Sequence, residues 1–73
     1  MPVNDQPIRE AWEAILEMPV TGDTDFFENG GHSLLAVELS MAIEEKIGIE
    51  PPPDLVYRLR TFREYVAAPE LSE

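Results

Sequence analysis

The residues Gly30-Gly31-His32-Ser33 stand directly before a run of apolar residues at helical spacing. They put one serine hydroxyl on a loop with little steric cover, at the start of a helix. A helix start offers unpaired N–H groups and the positive end of the helix dipole, so an oxygen held there is a good place to hang a phosphate ester. The two glycines lack side chains and permit backbone angles that other residues avoid, which leaves room for an approaching enzyme. Free serine is a weak nucleophile, so the base and metal for such an esterification would come from the modifying enzyme. An arbitrary Gly-Gly-X-Ser is usually no more than a turn and a helix cap, and the surrounding chain has to decide between the two.

Several elements must position that loop. Residues 1–6 read as a loose polar lead. A first helix is expected over about Pro7 to Glu17, with Pro7 suited to a first helical position and Pro19 ending it nearby. Ile8, Ala11, Trp12, Ile15 and Leu16 form its apolar face. The connection from Pro19 to His32 contains turn-forming Gly22 and Asp23. Phe26 and Phe27 are too apolar to leave in water, so at least one should plug the core and pin the loop. Asp23-Thr24-Asp25 can cap a short turn ahead of them. A second helix is expected over Ser33 to Ile47, stopped by Gly48. Its core stripe reads Leu35, Leu39, Ala42, Ile43 and Ile47. A second apolar stripe, Leu34, Val37 and Met41, is adjoined by Glu38, Glu44 and Glu45. Three prolines make the stretch from Ile49 to Pro53 an extended connector. Asp54 to Leu59 reads as a short helix with Leu55, Val56 and Leu59 inward. Thr61-Phe62-Arg63-Glu64 fits a capping box opening a last helix to about Ala67, with Phe62, Tyr65 and Val66 inward. Pro69 closes it, and residues 68–73 read as a tail.

These elements describe one all-α domain over residues 1–73, with a core of about residues 7–67: a small bundle of three main helices plus one short helix. At 73 residues such a domain buries only about 60% of the surface its unfolded chain exposes, so a roomy internal active site is not expected. Fifteen acids against five bases give a formal charge of −10. The excess is local. Through Asp54 there are 12 acids against Arg9 and Lys46, whereas Arg58, Arg60 and Arg63 balance Glu64, Glu70 and Glu73. Such a field disfavours nucleic acid and anionic membranes and favours basic protein partners. There is no cysteine, hence no disulfide framework. No run is apolar enough to span a membrane, and no signal-peptide core is present. The expectation is a cytoplasmic monomer.

The stretch Asp25-Phe26-Phe27-Glu28-Asn29-Gly30-Gly31-His32-Ser33-Leu34-Leu35 resembles the modification-site motif of phosphopantetheine-dependent carrier proteins, in particular the peptidyl carrier proteins of nonribosomal peptide synthesis. The likeness extends over about Ile8 to Ala67. It implies an acyl-carrier-like fold and a chain that catalyses nothing. Ser33 would bear covalent 4′-phosphopantetheine derived from coenzyme A, with Gly30, Gly31 and His32 as its surroundings. An aminoacyl or peptidyl intermediate would ride on that arm as a thioester. The implied partners are a phosphopantetheinyl transferase, an adenylation-type loading enzyme, and condensation, tailoring or thioesterase enzymes. The second helix looks like the recognition helix of fatty-acid acyl carrier proteins, which places Leu34, Val37, Glu38, Met41, Glu44 and Glu45 at docking positions. Asn29 departs from the motif, which usually has leucine or a similar residue there, so part of the loop's apolar anchoring is expected to be lost. His32 suits a peptidyl carrier, whereas fatty-acid and polyketide carriers usually have aspartate before the serine. Met1 and the short tails suggest a freestanding carrier.

Other readings compete. An acyl carrier for fatty-acid- or polyketide-type cargo shares most of these features. An unmodified acidic helical module that only binds a protein would explain the charge and the second stripe, but gives Ser33 and the glycines no task. A serine hydrolase would need Gly-x-Ser-x-Gly, and Leu35 stands where the second glycine belongs. A calcium loop beginning at Asp23 would need glycine at Glu28 and glutamate at Leu34. His32, the one histidine, has no cysteine or second histidine with which to form a zinc site.

Overall fold

The computed structural model describes residues 5–71. Helix α1 covers Gln6–Leu16, α2 covers Ser33–Ile47, α3 covers Leu55–Arg58 and α4 covers Phe62–Val66, followed by a 3-10 turn at Pro69–Leu71. No strand is present among the described residues. One isolated antiparallel bridge joins Asp25 to Thr61. The expected all-α bundle is therefore what forms, although its last helix has only five residues.

Trp12 on α1 is the centre of the core. Its ring meets Phe26, Phe62 and Tyr65 edge-on, at centroid separations of 5.4, 5.3 and 5.3 Å. Each such contact contributes about 0.5–1.5 kcal/mol beyond area burial. Together they offset the cost of the Trp12 indole N–H, which is buried without a hydrogen-bond partner; a lone unsatisfied donor costs about 1–3 kcal/mol. Burial also pushes the Tyr65 phenol well above its ordinary pKa, because the charged form would lose its hydration.

The first helix ends at Glu17, which adopts the left-handed conformation and donates its N–H to the Glu13 carbonyl. The long connection that follows is clamped at both ends. At its start, the Val20 carbonyl accepts from the Arg9 guanidinium, and the Val20 N–H donates to Glu13 Oε2 at 3.0 Å. At its far side, Phe26 N–H donates to the Arg60 carbonyl, Phe62 N–H to the Thr24 carbonyl and Arg63 N–H to the Gly22 carbonyl, each at 2.9 Å. The second of these links lands on the first residue of α4, whose start carries the expected capping box between Thr61 and Glu64.

Two sequence expectations shift. The buried face of α2 is Ala36, Leu39, Ser40 and Ile43, while Leu35, Ala42 and Ile47 are only half-buried at its margins. The apolar stripe is thus turned toward two small residues. The chain end is also less loose than expected. Ala68 and Leu71 are buried with the core, and Arg58 reaches Glu70 at 3.1 Å, so packing continues through Leu71. The Glu70 carboxyl is held below its usual pKa by a backbone hydrogen bond and by the Arg58 contact. Asp5 and Gln6, expected in the lead, cap and begin α1; the rest of the lead, residues 1–4, and residues 72–73 lie outside the described residues.

The two faces of α2 make a direct test. Leu39→Ala should lower unfolding stability by about 2–5 kcal/mol, because it leaves a cavity against α1. Val37→Ala should stay within about 0.5 kcal/mol. Urea titrations followed by Trp12 fluorescence distinguish the two.

Candidate functional site

Seven residues, from Asp25 to Gly31, follow Thr24, whose carbonyl is held by Phe62 of α4, and local hydrogen bonds set their course. Asp25 Oδ1 accepts from the N–H groups of Phe27 at 2.9 Å and Glu28 at 3.0 Å, so the expected cap forms. Its other oxygen lies 3.4 Å from the Arg60 guanidinium. Asn29 does not leave the loop unanchored. Its side-chain N–H donates to the Asp25 carbonyl at 2.8 Å, closing the same turn by a hydrogen bond where an apolar anchor was expected.

The two glycines are needed for different reasons. Gly30 sits at φ +102° in open space, a backbone angle that L side chains rarely adopt. Gly31 donates its N–H to the Phe26 carbonyl at 2.9 Å and lies flat against that residue. A Cβ at Gly31 would overlap the Phe26 ring and come within 2.6 Å of its carbonyl oxygen. Gly31 therefore serves close packing, not only outward room.

His32 follows in extended conformation and is the N-cap of α2, but its side chain makes no cap hydrogen bond. It is exposed, and its carbonyl accepts the Ala36 N–H at 2.9 Å. Ser33 is the first residue of α2 and is exposed. No acid lies in the first turn of this helix, in a chain with 15 acids. The Ser33 hydroxyl thus faces solvent beside N–H groups that have no side-chain cap, a setting that fits a phosphodiester. Asp23 and Asp25, the start of the calcium-loop reading, are engaged by Arg63 at 2.6 Å and Arg60. Among the described residues no cavity encloses a substrate.

The second apolar stripe is on the surface. Leu34 is 61% exposed, Met41 50% and Val37 43%. Glu38, Glu44 and Glu45 on the same helix are exposed. All five basic residues of the chain are drawn to acids elsewhere: Arg9 to Asp5, Lys46 to Glu10, Arg58 to Asp54 and Glu70, Arg60 to Asp25 and Arg63 to Asp23. Among the described residues no base is paired with Glu38, Glu44 or Glu45, so their charges are left uncompensated on this face. Tyr57 escaped the sequence reading. It is 47% exposed and stacks on Phe27 at 4.8 Å with a 30° tilt, while Arg60 covers the Phe27 ring at 5.3 Å. Its position among apolar residues of a four-residue helix gave no periodicity from which to choose its side.

A family comparison decides what kind of chain this is: residues 6–68 match the family described as "Phosphopantetheine attachment site". The chain belongs to that family. Its members bind covalent 4′-phosphopantetheine, and both family and fold are those of non-catalytic carrier domains. Among curated proteins, the chain is 36% identical over 69 residues to a hybrid polyketide–nonribosomal peptide synthetase of Talaromyces variabilis, covering 88% of this chain and 2% of that protein. It is 43% identical over 51 residues to a linear gramicidin synthase of Brevibacillus parabrevis, covering 68% of this chain and 1% of that protein. The chain thus spans a very small part of these relatives. A solved structure titled "Non Ribosomal PCP domain" superposes with a TM-score of 0.79 at 22% identity, covering 93% of this chain and 91% of that one. The carrier fold expected from the sequence is the fold observed.

The Gly31 contact predicts that Gly31→Ala lowers unfolding stability by about 1–3 kcal/mol, the usual cost of overpacking. Thermal unfolding followed by near-ultraviolet circular dichroism of the aromatic core would measure it; an unchanged midpoint would show that Phe26 can yield.

Proposed function

We propose that Ser33 is the phosphopantetheine attachment point and that the chain is a peptidyl carrier. The observation that carries this reading is the Ser33 hydroxyl itself, exposed on the first residue of α2 beside uncapped N–H groups and with no carboxylate in the first turn. In the modification, the Ser33 oxygen forms a bond to a phosphorus of coenzyme A. The pyrophosphate P–O bond breaks, the nucleotide leaves with its own phosphate, and the serine proton passes to a base of the transferase. When bound, the arm supplies a terminal thiol that holds cargo as a thioester. Gly30 and His32 keep the approach open, and the positive end of α2 lies beside the phosphodiester.

The peptidyl assignment is supported by His32 before the serine and by the peptide synthetases among the relatives. On that reading the arm is loaded by an adenylation-type enzyme and visited by condensation, tailoring or thioesterase enzymes, in a compartment that holds coenzyme A, the cytoplasm in our reading. Leu34, Val37 and Met41 would supply apolar contact to these partners, and Glu38, Glu44 and Glu45 would steer basic surfaces toward it.

Incubation with coenzyme A and a broad-specificity phosphopantetheinyl transferase should add the mass of one phosphopantetheine to the chain and nothing to Ser33→Ala. Addition to both would move the site, and addition to neither, beside a labelled control carrier, would reject the carrier reading. Charge reversal at Glu38 or Glu44 should raise KM for a basic partner about two- to tenfold, more at low salt, with the thermal midpoint preserved. Unchanged kinetics across several partners would remove these acids from the docking surface.

A further inference from the structure

Among the described residues, no hydrogen bond ties the Ser33 hydroxyl to the rest of the protein. Its direction is therefore set by the backbone at the head of α2, of which Ser33 is the first residue, and by the turn that leads into it. That turn runs from Asp25 to Gly31, and one residue gathers most of the polar contacts that fix it. Asp25 Oδ1 takes two successive N–H groups, from Phe27 and Glu28. Its main-chain carbonyl takes the Asn29 side chain. Its Oδ2 is held by Arg60, whose own carbonyl receives the Phe26 N–H. The Asp25 side chain is only 17% exposed, so these contacts are largely shielded from competing water.

We propose that Asp25 is the positioning residue for phosphopantetheinyl transfer, setting the direction in which the Ser33 hydroxyl is presented, with Asn29 closing the same turn and Arg60 holding the carboxylate. The inference rests on Ser33 being the modified residue. Asp25 lies eight positions from Ser33 in the chain and acts through the course of the backbone. With Oδ1 lost, two N–H groups are released and the turn relaxes between Asp25 and Gly30, so the first turn of α2, which no side chain caps, presents Ser33 less steadily. Val37, Glu38, Met41, Glu44 and Glu45, which lie beyond the first turn of α2, stay where they were. The effect should therefore fall on kcat for transfer, while KM for the carrier is kept, the opposite of what charge reversal at Glu38 does.

The test compares the parent chain with Asp25→Ala, Asp25→Asn and Asn29→Ala. An unrelated core variant, Ile43→Val, serves as a reference for modest destabilisation. Transfer from coenzyme A by a phosphopantetheinyl transferase is followed by intact mass, with the labelled residue located by peptide mapping. All chains are assayed at a temperature where circular dichroism shows them folded. Asp25→Ala should lower kcat by about tenfold or more, since small misplacements of a reacting group are costly, with KM changed less than about twofold. Asn29→Ala should lower kcat in the same way by a smaller factor. Asp25→Asn keeps an oxygen that can accept from Phe27 and Glu28, so it should restore most of the rate; Ile43→Val should transfer at the parent rate. Parent-like kcat in Asp25→Ala, with Ser33 labelled, would overturn the positioning role while leaving the attachment site intact. A loss in Asp25→Ala no larger than that in Ile43→Val, or no recovery in Asp25→Asn, would also overturn it. Label on the parent at a residue other than Ser33 would instead overturn the attachment site, and the positioning role with it.

Discussion

The burial of Phe26 is the constraint on which the rest of the molecule depends. Its ring closes the aromatic cluster around Trp12, its N–H is tied to the residue just before the α4 cap, and its carbonyl receives Gly31. One residue thus joins the core, the short C-terminal helix and the loop before α2. A 73-residue chain has little core to spare. Here the loop is held by inserting one of its own side chains into that core, so the loop's geometry carries part of the fold's stability. The same insertion explains why Gly31 has no side chain: the backbone must come down onto the Phe26 ring for α2 to begin where it does.

Charge is arranged around this frame in two ways. Near the loop, acids work locally. Asp25 caps a turn, Asp23 meets Arg63, and Glu13 holds the Val20 amide. The exposed ion pair between Asp23 and Arg63 adds little stability by itself, but it occupies a base, as Asp25 occupies Arg60. On α2, Glu38, Glu44 and Glu45 have no such company among the described residues, and Lys46 of the same helix is drawn away to Glu10. The first turn of the same helix holds no acid at all. Negative charge is thus kept from the helix end, where an anion is proposed to sit, and concentrated further along the helix, where basic partners are proposed to meet it. A uniformly acidic surface would have met the need for solubility equally well but would have placed carboxylates at the head of α2.

Much of this was legible in the sequence because large apolar residues and punctuating residues speak clearly. The spacing of Ile8, Ala11 and Trp12 marked the inner face of α1, Gly48 marked the end of α2, and Thr61 with Glu64 marked the start of α4. The Gly-Gly-His-Ser motif and its aromatic pair located the candidate site. What was not legible has a common physical cause. Ala36 and Ser40 are buried, yet alanine has a weak hydrophobic signal and serine has none, so the stripe read as Leu35, Leu39, Ala42, Ile43 and Ile47 had Leu39 and Ile43 right and missed these two small residues. Tyr57 lies in a helix of four residues, too short for a period to assign its side. Leu71 beyond Pro69 read as tail because proline ended the helix, though the chain could still turn back and pack. The role of Asn29 was hidden because its replacement for an apolar anchor is a hydrogen bond to a main-chain carbonyl, which leaves no trace in composition.

The separation of the two stripes on α2 explains how so small a domain can present a surface without endangering its fold. Leu34, Val37 and Met41 contribute little to the core, since they are exposed and Ala36, Leu39, Ser40 and Ile43 make the buried face of α2. Their apolar surface is a cost in water that the fold does not need, and methionine in such a place suits a surface that adapts to more than one partner. A stability argument alone would favour polar residues there. The positions that hold the bundle together and those proposed to meet partners are thus interleaved in sequence but face different directions on one helix. Substitutions on the outer stripe can be made at little cost in stability, whereas the loop at the head of the helix has no such freedom, because Phe26 and Gly31 bind its geometry to the core.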